Sequence, residues 1–274
     1  MDFLRLQNKN IVLMGVANRR SVAWAVAQVL RELGAHVIYV FKDQELLAKN
    51  RSLVGAAASC VVCDVESDHD IAALPERVSQ HADIVHGLVH SIAYANFSEG
   101  LKPFHATVKK DFLQAVDISC FSLIQTCDRL KGLFAPDAAI VTMSISTTRM
   151  ASENYGYMGP IKAALDSSVA FLAKSLSQAV SPFIRVNAVG AGLLKTSASA
   201  GIPGYIDAYL YAEKIIPRHQ ALSTDEPAQV VAFLLSPRSS GINAQTITVD
   251  AGMSINYFDH DVVRCVTSPA ASRD

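Results

Sequence analysis

The sequence predicts an α/β fold, one doubly wound parallel sheet of the Rossmann type with helices on both faces. Three observations predict it. Short apolar runs alternate with longer helix-compatible segments along the whole chain, the pattern of successive βα units. The runs are close to continuously apolar, as strands covered on both faces are. The first run stops at a glycine and is followed by helical periodicity, so the chain opens as a βαβ unit.

Taken in order, residues 10–14 form the first strand-like run, just before Gly15. Residues 21–33 carry the apolar spacing of a helix that stops at Gly34, and 36–41 is the second run. Further strands are expected at 58–64, 84–90, 138–143, 184–189 and 245–249, with helices over 111–133 and 162–180 among the intervening segments. Right-handed crossovers then place a ligand at the carboxyl ends of the strands. With 274 residues, half of them apolar, and no low-complexity linker, residues 1–258 read as one domain and 259–274 as a loose polar tail.

Composition excludes several function classes. A net charge of −1 argues against a disordered tail protein and against an electrostatic nucleic-acid binder. No run approaches the roughly 20 apolar residues that span a bilayer. Met1-Asp2-Phe3-Leu4-Arg5 lacks a signal-peptide layout, so a cytoplasmic location without membrane contact is expected. Cys60 and Cys63 form a Cys-x-x-Cys pair, but residues three apart on a strand point to opposite faces, so a buried strand is the better reading than a redox or metal pair. His86 and His90 also lie in a strand-like run, and no metal site is expected.

The candidate chemistry sits at the strand ends. Gly15 permits a tight turn, Ser21 can cap the following helix, and the first-turn amides at Ser21 and Val22 would face a pyrophosphate. Asp64 and Val65 follow the third strand and suit an adenine edge. Ser91, Ile92 and Ala93 follow the fourth, where small side chains let backbone approach a ribose and nicotinamide. Tyr155 and Lys162 are separated by about 700° of rotation at ~100° per residue, so they share one face if a single helix runs through both. A phenol beside a fixed cation is a better proton donor to a developing oxyanion. Tyr157 lies about 200° from Tyr155 on such a helix and faces elsewhere. Taken alone, the pair reads better as a packed Tyr with a solvated Lys, and Pro160 interrupts the case for a continuous helix.

The Gly15 to Ser21 turn, Cys63-Asp64-Val65, Val89-His90-Ser91-Ile92, Asp117-Ile118-Ser119, Asn154-Tyr155-x6-Lys162, Arg185-Val186-Asn187-Ala188 and Val249-Asp250-Ala251-Gly252 together resemble the enoyl-[acyl-carrier-protein] reductases. These are divergent short-chain dehydrogenases of bacterial type II fatty acid synthesis. The six-residue separation of Tyr and Lys, in place of the three usual in the wider superfamily, is the most discriminating feature. The resemblance implies reduction of a trans-2-enoyl thioester on acyl carrier protein by NADH, in a cytoplasmic homotetramer of a lipid-metabolism enzyme. It implies that Tyr155 stabilises the enolate oxygen and that Lys162 binds the nicotinamide ribose. Ser91, Ile92, Leu194 and Thr196 would contact cofactor. Ala93, Tyr94, Ile145, Met158, Ile202 and Ile206 would meet substrate, the last two from a lid at about 193–216 in which Tyr205, Tyr209 and Leu210 could also cover an acyl chain.

Departures from the family pattern are visible. Ile145 stands where an aromatic residue is common, flanked by Ser144 and Ser146; the lid segment Pro203-Gly204-Tyr205-Ile206-Asp207 lacks basic residues; Leu193 replaces a frequent proline and Ala251 a glycine. Lys42 follows the second strand, where a 2′-phosphate could be met, but Asp43 beside it would repel one. The acidic ribose-binding residue of simple NAD sites is not cleanly placed either, so it is the family resemblance that favours NADH, and NADPH remains open. Two other readings stay in play: a carbonyl or alcohol dehydrogenase in which Ser144 or Ser146 assists Tyr155, and a catalytically silent nucleotide-binding protein.

Overall fold

All seven expected runs become strands: β1 (Asn10–Met14), β2 (His36–Phe41), β3 (Ser59–Val62), β4 (Val85–His90), β5 (Phe134–Ile145), β6 (Arg185–Ala191) and β7 (Thr246–Val249). They form one sheet in the order β3-β2-β1-β4-β5-β6-β7, with every pairing parallel. This is a computed structural model, and it describes residues 2–151, 156–196, 199, 204–256 and 258–267.

Alternation along the strands builds two cores. In β1, Val12 and Met14 join the apolar cluster on one face of the sheet, and Ile11 and Leu13 join the cluster on the other. The first face is covered by α3 (Asp68–Ser79), α4 (Lys109–Val116), α5 (Ser122–Leu130) and α6 (Met158–Ala179); the second by α1 (Val22–Glu32) and α8 (Asp225–Leu235), with α2 (Gln44–Val54) at its margin. The remaining helices are α7 (Tyr205–Ile215) and α9 (His260–Thr267).

Beyond shifts of one or two residues at strand and helix ends, four features differ from expectation. The helix expected over 111–133 is divided by a π-helical turn, Asp117–Phe121, into α4 and α5. α6 begins at Met158 rather than 162, and Pro160 is tolerated because its missing N–H falls in the first turn, where no helical partner exists. β5 runs four residues earlier and two later than 138–143. Part of the expected tail is helical: α9 sets Val262 against Ala212, Ile215, Ile216 and Met253.

Cys60 packs toward one cluster and Cys63 lies in the other, so the two sulfurs diverge across the sheet. No helix of the described residues is long and apolar enough to cross a membrane. β1 pairs with β2 on one side and β4 on the other, and the crevice above this reversal is where open parallel sheets take ligands.

Candidate active site

The crevice is a cleft of about 470 Å³ running over the carboxyl ends of β1 to β6. Its centre is the turn after β1. Gly15 has φ +102°, and a Cβ there would fall 2.0 Å from the Ser91 carbonyl oxygen, so only glycine lets the ends of β1 and β4 approach this closely. Asn18 organises the rest of the turn: its Oδ1 accepts from Arg20 N at 2.8 Å, and its carbonyl accepts from the Ser21 hydroxyl at 2.7 Å. Ser21 does stand at the N-cap position of α1, but its hydroxyl is spent on Asn18 and caps nothing, which corrects the sequence expectation. The first turn of α1 thus carries no side-chain cap and no acidic residue, and Ser21 and Val22 border the cleft. The positive end of a helix macrodipole left open in this way fits a pyrophosphate.

One end of the cleft is charged and open. Lys42, Asp64 and Val65 all line it. Lys42 Nζ lies 3.5 Å from Asp64 Oδ2 and 3.5 Å from Glu66 Oε2. Partial burial alone would lower the Lys42 ammonium, but the two carboxylates outweigh it and hold the group above its ordinary range. Asp43 is turned away to cap α2, its Oδ1 accepting from Leu46 N at 2.7 Å. The acids beside Lys42 therefore come from the end of β3, not from the residue next in sequence.

The other end is buried. Ser91, Ile92, Ala93 and Tyr94 continue from β4 along the cleft wall. One hydroxyl, Ser119 in the π-helical turn, fixes this loop: it accepts from Tyr94 N at 2.9 Å and donates to Tyr94 O at 3.1 Å. Lys162, only 3% exposed, donates from Nζ to Met143 O at 2.8 Å and to Ile92 O at 3.2 Å. Burial pulls its pKa down to about 8, with Asp166 opposing the shift. Behind it, His90 is fully buried between the Thr142 hydroxyl at 3.1 Å and the Ser122 hydroxyl at 2.8 Å. Burial, reinforced by the Lys162 charge, lowers the His90 pKa to about 3, so the ring is neutral and both its nitrogens are committed to hydrogen bonds. Ile145 and Met158 also line this end.

Tyr155 lies outside the described residues, as does Ile202. The condition for Tyr155 and Lys162 to share a helix face, one helix running through both, is not met on the described side: Gly156 has φ +57° and α6 starts at Met158. Tyr157 is buried with its ring against Phe97 and Phe112, and its hydroxyl donates to Asn96 O and accepts from Asn96 N. Its phenol is thereby occupied.

The rim is formed by Leu194, Thr196 and α7. The Tyr205 hydroxyl accepts from Leu194 N and donates to Leu194 O, both at 2.9 Å, and Tyr205 lines the cleft. Ile206 is not brought in: it is 70% exposed and does not line the cleft. Leu210 is half exposed, while Ala212 and Ile215 pack inward on Ile216 and Met253. Sequence reasoning missed Glu66, Thr147 and Phe97 on the cleft wall. For Glu66 a signal existed, an acid two residues beyond Asp64 at the same strand end.

This arrangement has known counterparts. A family model described as Enoyl-(Acyl carrier protein) reductase matches residues 15–254. The chain is 35% identical over 250 residues to the Enterococcus faecalis protein named enoyl-[acyl-carrier-protein] reductase [NADH] FabI, covering 91% of this chain and 99% of that one. It is 34% identical over 253 residues to the Staphylococcus aureus (strain MRSA252) protein named enoyl-[acyl-carrier-protein] reductase [NADPH] FabI, covering 91% and 98%. The crystal structure of enoyl-[acyl-carrier-protein] reductase (NADH) from Aquifex aeolicus VF5 superposes with a TM-score of 0.87 at 30% identity, over 93% of this chain and 99% of that one.

Proposed function

The chain belongs to the enoyl-[acyl-carrier-protein] reductase family, and from that premise we propose how its cleft divides the work of reducing an enoyl thioester. It is a nicotinamide-dependent oxidoreductase of fatty acid synthesis that reduces the double bond of enoyl-acyl-carrier-protein. When bound, the nicotinamide supplies the hydride taken up by the β-carbon. The α-carbon then gains a proton, and between the two events negative charge rests on the thioester oxygen. Tyr155 donates the hydrogen bond that stabilises this oxygen. Lys162 orders the nicotinamide ribose. Two of its three N–H donors are engaged by Met143 O and Ile92 O, which aims the third at a ligand hydroxyl.

The other residues serve binding. The Gly15, Ser21 and Val22 turn takes the pyrophosphate, and Asp64 and Val65, with Lys42 beside them, take the adenosine half. Ser91, Ile92, Ala93, Leu194 and Thr196 border the nicotinamide half. The acyl thioester lies against Ala93, Tyr94, Ile145 and Met158. The enzyme works in the cytoplasm as a homotetramer. Exposed Leu113 on α4, Phe121 in the π-helical turn and Phe171 on α6 support assembly through these helices. Light scattering that returned a monomer at micromolar concentration would remove the tetramer.

The observation that carries the catalytic reading is a buried ammonium anchored by carbonyls on the cleft floor. Its test is turnover of a crotonyl thioester with NADH, alongside nucleotide binding, for wild type, Lys162→Ala and Tyr155→Phe. Lys162→Ala is expected to weaken nucleotide binding by about a hundredfold or more, and Tyr155→Phe to slow reduction while leaving binding nearly intact. Unchanged kinetics in both variants, or reduction of ketones in preference to enoyl thioesters, would overturn the assignment.

A further inference from the structure

The charged end of the cleft holds more acid than adenosine binding needs. Among the described residues Lys42 is the one cation lining that end, and two carboxylates are placed at equal distance from it, Asp64 and Glu66 at 3.5 Å each. The Glu66 carboxylate is also tethered: the Gln114 amide of α4 donates to its Oε1 at 2.8 Å, and its own backbone N donates to Asp64 Oδ1 at 3.1 Å. Nearby, the Asp117 carboxyl is raised by burial and by the charges of Glu66 and Asp68. Two carboxylates thus face a single ammonium at this end.

Position gives the charge its meaning. In open parallel sheets the end of β2 meets the adenosine ribose, and an acid there hydrogen-bonds a free 2′-hydroxyl whereas a basic group accommodates a 2′-phosphate. In this chain the residue types are reversed from that simple rule. The strand end supplies Lys42, and the acid next to it, Asp43, is consumed in capping α2. Judged by β2 alone, the site would take a phosphorylated ribose.

We propose that Glu66, together with Asp64, is the cofactor-specificity determinant of this enzyme: the pair occupies Lys42 and repels a 2′-phosphate, so that the site selects NADH over NADPH. This rests on the reductase reading above and adds the residue that sets its cofactor. A 2′-phosphate brings about two negative charges. To be bound, it must displace two carboxylates from the lysine and then sit beside them, one of them restrained by Gln114. A ribose with a free 2′-hydroxyl makes no such demand and can donate to either acid. Removing the Glu66 charge releases half of the restraint on Lys42 and turns an opposing group into a neutral one.

The test is calorimetric titration of the wild-type protein, Glu66→Gln, and the double variant Glu66→Gln with Lys42→Met, with NADH and NADPH at low and high salt. Wild type is expected to bind NADH at least about tenfold more tightly than NADPH, and the gap narrows as salt screens the carboxylates. Glu66→Gln narrows it chiefly by tightening NADPH. Loss of that gain in the double variant identifies Lys42 as the group set free. Equal affinities in wild type, a salt-independent gap, or no change in Glu66→Gln would each overturn the determinant while leaving the reductase intact. Binding of neither nucleotide would remove the cofactor cleft itself and the proposal with it.

Discussion

Lys42 and Lys162 line the same cleft under opposite electrostatics. The Lys42 side chain is 55% exposed, has two carboxylate partners and is held above its ordinary pKa. Lys162 is 3% exposed, is hydrogen-bonded by two carbonyls, and is lowered to about 8. A carbonyl dipole replaces only part of the hydration an ammonium loses on burial, whereas a carboxylate at the surface opposes a much smaller loss. The difference teaches which charge the fold tolerates for its own sake and which it maintains at a cost. Lys42 is compatible with stability; Lys162 is kept against it, as expected of a group whose proper partner is a ligand.

If burial at the nicotinamide end is as complete as the geometry shows, the largest signature is acid sensitivity through His90. Its pKa of about 3 lies below the ordinary 6.5, so between these values the unfolded chain binds a proton that the folded chain refuses. The stability His90 contributes is present above pH 6.5 and is lost as pH falls toward 3, by about 1.4 kcal/mol per pH unit within the window. Urea unfolding at pH 7 and pH 5 checks it. Wild type should lose about 2 kcal/mol more than His90→Gln over that interval. Equal losses would mean that water reaches the imidazole and that this end is not dry.

Lys162 gives the next effect, with the same sense in pH but in a higher window. Its folded pKa of about 8 lies below 10.5, so the unfolded chain binds the extra proton between these values and stability rises with pH across them. Between pH 7.5 and pH 9.5 the cofactor-free wild type should gain about 2 kcal/mol relative to Lys162→Met. The variant also leaves the carbonyls of Ile92 and Met143 without their donor, so the difference in pH slope, rather than absolute stability, is the clean readout.

The same contrast marks how far the sequence could be read. All seven strands and the crevice followed from apolar periodicity, because burial on both faces imposes it on composition. Most of the proposed cleft residues sit directly after strands, where topology alone assigns them. What escaped depends on side-chain commitments that have no period. Ser21 has the residue type of a cap yet bonds Asn18, Asp43 caps the helix instead of facing a phosphate, and Glu66 approaches Lys42 only once β2 and β3 are paired. A shared helix face for Tyr155 and Lys162 depended on a continuity that spacing cannot reveal: Gly156 is left-handed and α6 starts only at Met158.

One departure noticed in sequence proves to be a backbone cost, and it sets a scale between the two lysines. Ala251, which stands where the family commonly has glycine, has φ +53°, while Gly252 follows at +83°. A left-handed alanine is strained by about 1–2 kcal/mol, part of which Ala251→Gly returns as greater freedom of the unfolded chain. The substitution should therefore stabilise the protein by roughly 0.5–1 kcal/mol at any pH from 6 to 9, since nothing that titrates is removed. Thermal melts at pH 6 and pH 9 separate this constant gain from the pH-dependent effect of Lys162.

The smallest effect belongs to Lys42. Its partners Asp64 and Glu66 are each 31% exposed and the lysine more so, and salt-screened pairs of this kind contribute about 0–1 kcal/mol. Lys42→Met should change unfolding free energy by less than about 1 kcal/mol, and the change should shrink in high salt. The reason lies in the other terms: Asp64 N is already held by Asp70 Oδ2, Glu66 by Gln114, and the lysine stem stays packed at the cleft mouth as a methionine would. A loss of several kcal/mol would show that Lys42 organises the β2 and β3 ends, making the two lysines alike in kind. A near-zero loss, with the Lys162 slope present, keeps one charge for selecting a ligand and the other for holding it.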